Sequence, residues 1–352
     1  IDAEDQNLLW YSKQVIEGTP VEMSNLFTLY VAPSTGAAGS TGTLQCLFPM
    51  DDKLIMFKSE AIYYMNGTGP DNTGANSTYS QPLFITATIG CANQNSIVFC
   101  PLGLMFQSSK GIWLLGRDLS TEYIGAPVEA LTQFNIQSGI QPTVMSALVE
   151  PGTNQVRFTM NTGITLMYDY YFKQWGTFVG IPGTSSTIYQ NLHTYINQYQ
   201  QVYQESVGSY LDGTTPTVMQ FTTGWLQLQK LQGYQRAYYF YLLGTYVSPH
   251  QLQISVAYDY SPPSQITVLT PDNSTPNWGG DPLWGSSTPW GGPGNAERWR
   301  VFLDRMKCSA LQISIQEIAG TPAGAGLTLS GLNVVIGAKK GYPTLNPSRS
   351  VG

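Results

Sequence analysis

Charge is what this sequence has least of. Lys, Arg, Asp and Glu make up only 11% of its 352 residues, against roughly 25% in ordinary soluble domains. Gly, Pro, Ser, Thr, Asn, Gln and Tyr fill the gap. Disorder is excluded all the same, because 42% of residues are hydrophobic and 12% aromatic, enough for sizeable cores. Basic residues are the scarcer sign. Lys and Arg number 16 and Asp and Glu 22, a net charge of −6. With no basic run longer than Lys339-Lys340, such a chain is a poor clamp for nucleic-acid phosphates. No run of about eighteen apolar residues occurs, so no transmembrane helix is expected, and no signal peptide is visible. Histidine is limited to His193 and His250 and cysteine to Cys46, Cys91, Cys100 and Cys308, with no C-x-x-C pair. That argues against a zinc site. Cys46 and Cys100 lie in apolar strand contexts and read as small buried hydrophobes, which fits assembly in a reducing place such as the cytosol.

What the chain does have is repetition. Residues 96–125 read as four short strands: Ser96–Cys100, Leu104–Gln107, Ile112–Leu115 and Glu122–Ile124. Pro101-Leu102-Gly103 and Ser108–Gly111 turn between them, the pattern of an antiparallel meander. Residues 44–67 and 144–170 repeat the order, and 192–213 repeats it more faintly. The aromatic anchors Phe57, Phe106, Phe158 and Tyr203 stand 49, 52 and 45 residues apart. Four strands per unit at a period of roughly 40–50 residues is the pattern of propeller blades. Leu8–Ser12 is a further strand candidate, the remains of an earlier blade. The chain opens on Ile1 rather than Met, which leaves open whether further blades precede it.

The texture changes near Thr214. Longer strands follow at Arg236–Thr245, Gln251–Tyr258, Gln265–Thr270, Trp299–Leu303, Ala310–Glu317 and Leu327–Ile336. The alternation of Leu252, Ile254 and Val256, and of Leu311, Ile313 and Ile315, marks half-buried strands. The fold expected is therefore all-β, with β-propeller blades over 1–213 followed by a β-sandwich over 214–352. The loop at 277–295 carries Trp278, Trp284 and Trp290 among Gly and Pro. These tryptophans are the candidate interface residues.

Chemistry is sparse. There is no G-x-S-x-G, P-loop or H-E-x-x-H motif. Paired acids at Asp51-Asp52, with Asp169 and Asp259, have the residue type that glycoside hydrolysis uses. Each sits where a turn favours Asp for backbone reasons. The loop at 66–80 holds Asp71, Asn72 and Asn76 but lacks the carboxylates that calcium needs. The expectation is no catalytic residue, no metal, no cofactor and no enzymatic activity.

Several strings carry a family likeness: Lys53–Lys58 (KLIMFK), Ile89-Gly90-Cys91, Gly103–Phe106 (GLMF), Lys110-Gly111-Ile112, and Tyr168–Trp175 (YDYYFKQW). Together with YFYLLGTYVSPHQLQISVAYDY after the blades, they resemble the β-propeller nozzle, or head-to-tail stabilisation, proteins of short-tailed bacteriophages. The resemblance spans most of the chain and implies a structural virion protein, assembled in the host cytoplasm and resident in the tail. It implies a ring of copies of itself, six by resemblance, in contact with adaptor and fibre or spike proteins. DNA would be met only in transit through a neutral to acidic lumen. It carries over no catalytic residue. The alternative is a receptor- or carbohydrate-binding tail component that uses its tryptophans and tyrosines to stack on sugars.

Overall fold

The computed structural model describes residues 1, 4–31, 42–91, 93–133, 139, 141–181, 183–206, 208–227, 235–246, 250–270, 296–320, 324 and 326–337. Within them the chain is all β apart from one helical turn, α1 (Glu129–Thr132), and short 3-10 turns. It divides into two compact units, Ile1–Ser206 and Val207–Gly352.

The first unit is a series of antiparallel sheets taken in chain order. A hairpin of β1 (Leu8–Ser12) and β2 (Met23–Tyr30) leads. Three four-stranded meanders follow. The first is β3 (Leu44–Met50), β4 (Lys53–Lys58), β5 (Ile62–Asn66) and β6 (Leu83–Thr86). The next is β7 (Val98–Cys100), β8 (Gly103–Ser108), β9 (Gly111–Gly116) and β10 (Thr121–Tyr123). The third is β11 (Val144–Glu150), β12 (Gln155–Met160), β13 (Ile164–Asp169) and β14 (Gln174–Val179). A three-stranded sheet of β15 (Gly183–Tyr189), β16 (Leu192–Asn197) and β17 (Val202–Gln204) ends the series. These are the blades that the repeat predicts.

The second strand of each four-stranded meander is buried on both faces, because these three sheets are sandwiched between neighbours. Alternate side chains along a strand serve opposite faces. On β8, Leu104 and Phe106 pack with Ile55 and Phe57 of the preceding sheet. Met105, between them, packs with Val156 and Phe158 of the following one. Met56 in turn packs back onto Leu9 and Leu29 of the leading hairpin. The equivalence expected for the aromatic anchors therefore needs correction in two places. Phe57, Phe106 and Phe158 are all fully buried on second strands. Phe57, however, points toward the following sheet, while Phe106 and Phe158 point toward the preceding one, so the counterpart of Phe106 in the earlier blade is Met56. Phe57 and Phe106 instead meet across one interface, with ring centroids 4.9 Å apart. Tyr203 lies on a third strand and is 41% exposed. The second-strand aromatic of the last sheet is the buried Tyr195.

Polar side chains reach from these inner strands to the backbone of neighbouring sheets. Lys58 Nζ donates to Val31 O at 2.8 Å. Gln107 Nε2 donates to Pro142 O at 2.8 Å, and its Oε1 accepts from Val144 N at 2.7 Å. Trp175 Nε1 donates to Ile124 O at 2.7 Å, tying the third meander to the loop after β10. The Ile89-Gly90-Cys91 step also has a physical reason. A side chain at Gly90 would begin 2.1 Å from Lys58 O, and Cys91 N donates to that same oxygen at 3.0 Å. None of the four cysteines is in a disulfide, and all are buried.

The second unit opens with a small hairpin, β18 (Leu211–Asp212) and β19 (Thr215–Pro216). The boundary expected at 213/214 falls in the turn of this hairpin and is corrected to 206/207. The sandwich follows. One sheet runs β20 (Gln220–Thr222), β26 (Leu311–Ile318), β22 (Gln251–Tyr258), β23 (Gln265–Leu269). In the other, β21 (Gln235–Tyr246) lies between β24 (Ala296–Phe302) and β27 (Leu327–Gly337), with β25 (Lys307–Cys308) on its first residues. Phe240, Leu242 and Val301 from one sheet meet Leu252, Ile254, Val256, Ile313 and Ile315 from the other in a single core. Among the described residues no sheet takes strands from both units.

Two substitutions test this packing. Phe106→Ala should destabilise the first unit by about 3–5 kcal/mol, since it empties a site between two sheets. Tyr203→Ala should cost under about 1 kcal/mol, as expected for an exposed side chain. Midpoints of denaturant unfolding measure both, and equal effects would contradict the assignment of Tyr195 as the anchor of the last sheet.

Candidate functional site

The carboxylates suited by type to acid–base work are committed elsewhere. Asp51 and Asp52 form the β3–β4 turn. Asp51 Oδ1 accepts from Arg117 Nη1 at 2.7 Å, and Asp52 pairs with Lys53. Asp169 Oδ1 accepts from the backbone N–H groups of Tyr171 and Phe172, each at 2.9 Å. Asp259 accepts from Ser309 N at 2.6 Å and pairs with Arg305 at 2.8 Å. Asp71 closes its own loop by accepting from Thr73, Ala75 and Asn76. Those bonds, the Thr73 hydroxyl foremost, lower its pKa to about 2. Among the described residues no three His, Cys, Asp or Glu side chains gather to hold a metal ion.

The densest titratable cluster lies between the last two sheets of the first unit, and nothing local in the sequence announces it. Arg157 of β12 is buried between Val156 and Phe158. A charge in a strand covered on both faces needs partners. Glu150, at the end of β11, pairs with Arg157 Nη2. Glu205, just after β17, reaches Nη1 at 3.0 Å. Gln155 Oε1 accepts from Nε and Nη2 at 3.2 and 3.1 Å, and the guanidinium lies over the Phe178 ring, 5.2 Å from its centroid. His193 of β16 is buried beside this cluster, its ring stacked on Tyr195 at 5.7 Å. Burial first, and then the Arg157 charge, lower its pKa to about 4, so the imidazole is neutral near pH 7. The Arg157 guanidinium is fully partnered, while His193 Nε2 stays buried without a hydrogen bond. The work of the cluster is to lock the last sheet onto the third meander. The one histidine on a blade strand is thus a packed neutral ring.

A shallow cleft on the second meander has a different character. It is lined by Lys110, Trp113, Tyr123, Glu129, Gln133 and Gln141. Trp113 and Tyr123 are cross-strand partners on β9 and β10, with ring centroids 4.9 Å apart. Trp113 Nε1 and Tyr123 Oη are both buried without a well-formed hydrogen bond. Burial, and secondarily the Glu129 carboxylate, raise the Tyr123 pKa. Two aromatic rings, with a Lys, a Glu and two amides at the rim, suit a polyhydroxylated ligand. The sequence pattern Lys110-Gly-Ile-Trp113, with Tyr123 on the next strand, was the available signal. The candidate interface tryptophans Trp278, Trp284 and Trp290 lie outside the described residues.

The depressed His193 pKa sets a pH dependence. The unfolded chain binds a proton on this ring below about pH 6.5, while the folded ring resists it until about pH 4. Stability from this site is therefore complete above pH 6.5 and is lost progressively as pH falls toward 4. The loss should be on the order of 2–3 kcal/mol. His193→Gln should flatten the slope of unfolding free energy in that window relative to the parent protein. An unchanged slope would show that the ring is protonated in the fold.

No protein-family model matches the chain, and a comparison with curated proteins returns no match. Among solved structures, one match is a single-residue variant of an exo-β-1,3-galactanase from Phanerochaete chrysosporium with β-1,3-galactotriose. The alignment covers 90% of this chain and 86% of that one at 10% identity and a TM-score of 0.28.

Proposed function

We propose that this chain is a structural component of a bacteriophage tail, a nozzle-type protein that assembles as a ring of copies around the path of the ejected DNA. The observation that carries the reading is the uncovered face at each end of the sheet series. The leading hairpin turns Leu26 (84% exposed) and Tyr30 outward, and the last sheet exposes Ile196 and Val202 (67%). Large apolar side chains on sheet faces with no neighbour are surfaces to be buried in an assembly. Few charges and many Tyr, Gln and Thr suit wide contacts of mixed polarity. The first unit carries fifteen acidic and seven basic residues, a balance that repels phosphate and lets DNA slide. On this reading the chain does no chemistry of its own.

Electron micrographs and mass measurements of the purified protein test the proposal. A ring with an open lumen is expected, together with duplex DNA binding no tighter than about 1 μM at physiological salt. A strictly monomeric protein, or tight and salt-sensitive DNA binding, would contradict it. So would sugar release from host polysaccharide that is lost on replacing Asp51 and Asp52, or Asp169.

The cleft at Trp113 favours a second reading, a carbohydrate-binding tail component. It predicts hits on a glycan array that are lost when the rim residues Lys110 and Glu129 are replaced by Ala, with circular dichroism showing the fold retained. An empty array would leave the structural reading alone.

A further inference from the structure

The outer face of the β24–β21–β27 sheet is unlike the rest of the molecule. Phe240 and Leu242 turn into the sandwich core, so Tyr239 and Tyr241 turn outward. On β24, Val301 turns in and Arg298, Arg300 and Phe302 turn out. Cross-strand pairing sets Tyr239 opposite Phe302 and Tyr241 opposite Arg300. The rings meet edge to face, Tyr239 with Tyr241 at 5.2 Å and Tyr239 with Phe302 at 5.8 Å. The Arg298 guanidinium lies 3.6 Å over the Tyr241 ring, and Arg300 lies 4.7 Å over Phe302. Among the described residues no carboxylate pairs with either arginine. Phe302 remains 59% exposed.

Tyr, Phe and Arg are the residues that dominate protein interfaces. The edge-to-face rings offer no flat ladder for nucleobases, and the guanidinium already covers the Tyr241 face, which argues for a polypeptide partner. Charge selects which one. The second unit has nine basic and seven acidic residues, against seven and fifteen in the first. One chain therefore holds a mildly basic half and a strongly acidic half. The leading hairpin of the acidic half offers a counterpart of matching character. Val15, Ile16, Val21, Met23 and Leu26 are exposed there, with Glu17 and Glu22 among them and Lys13 paired to Glu22 at 2.6 Å.

We propose that the Arg298–Arg300–Phe302 face of one copy docks on the Glu17–Glu22 hairpin of the next, a head-to-tail contact. Head-to-tail contacts of this kind close into rings when the rotation permits. The inference rests on the ring reading above and specifies its contact surface. The guanidinium edges receive the hairpin carboxylates, and Phe302 and the tyrosines receive its aliphatic side chains.

Self-association measured by mass photometry and sedimentation, with circular dichroism as the check on folding, tests the contact. Arg298→Glu with Arg300→Glu, and separately Glu17→Arg with Glu22→Arg, should each weaken assembly by roughly ten- to a hundredfold. Combining all four substitutions in one chain restores the charge match and should restore assembly, which loss of folding cannot do. An equimolar mixture of the two double variants should also co-assemble. Assembly unaffected by either pair, or not recovered by the combination, overturns this interface and leaves the ring reading standing. A parent protein that stays monomeric at every concentration overturns both.

Discussion

Everything in the first unit depends on the second strand of each of the three meanders being covered on both faces. A strand in that position has no solvent side. Each of its side chains must either fill an intersheet core or find a fixed polar partner. Ile55, Met56 and Phe57 meet the first requirement on alternating faces. Lys58, Gln107 and Arg157 meet the second by reaching the backbone or a carboxylate of a neighbouring sheet. The series is thus held by apolar contact and registered by a few long polar side chains. The burial that makes the inner sheets self-sufficient leaves the outermost faces unfinished.

The same constraint explains what the sequence revealed and what it concealed. The strands of the second meander and the long strands β21, β22, β26 and β27 could be read nearly residue for residue. Turn residues bound the former, and a buried and a wet face alternate along β22 and β26. The repeat itself was legible as well. Its phase was not. Where both faces of a strand are buried, period-two alternation vanishes, and an aromatic no longer tells which way it points. That is why Phe57 looks like Phe106 in sequence and faces the other way in space. Tyr203 misled for a different reason. It stacks on Tyr195 at 5.4 Å across the β16–β17 pair, so an aromatic of the neighbouring strand took the place of the true anchor.

The candidate sites were less legible, because they are tertiary. Arg157 and Glu205 are 48 residues apart, and neither carries a local motif. The Arg–aromatic face joins β21 to β24 across a long intervening segment, and its outward residues are recognisable only once Phe240 and Val301 are known to point inward. The carboxylates that the sequence did single out proved to be turn-formers, as the backbone preferences of Asp suggest.

The two units also differ in how their strands find one another. In the first, every hydrogen-bonded strand pair among the described residues is adjacent in the chain, so each sheet pairs strands that follow one another directly. In the second, β20 pairs with β26, and β21 with β27, where Arg236 lies opposite Gly337. Local pairings form quickly and distant ones slowly, because the entropy of closing a long loop is lost before contact rewards it. During synthesis the blades can therefore order one after another as they emerge, while β21 must wait for β27 with its central edge unpaired. Folding of the sandwich is the slow step this topology imposes, and the interval in which it is incomplete is when the chain is most exposed to aggregation.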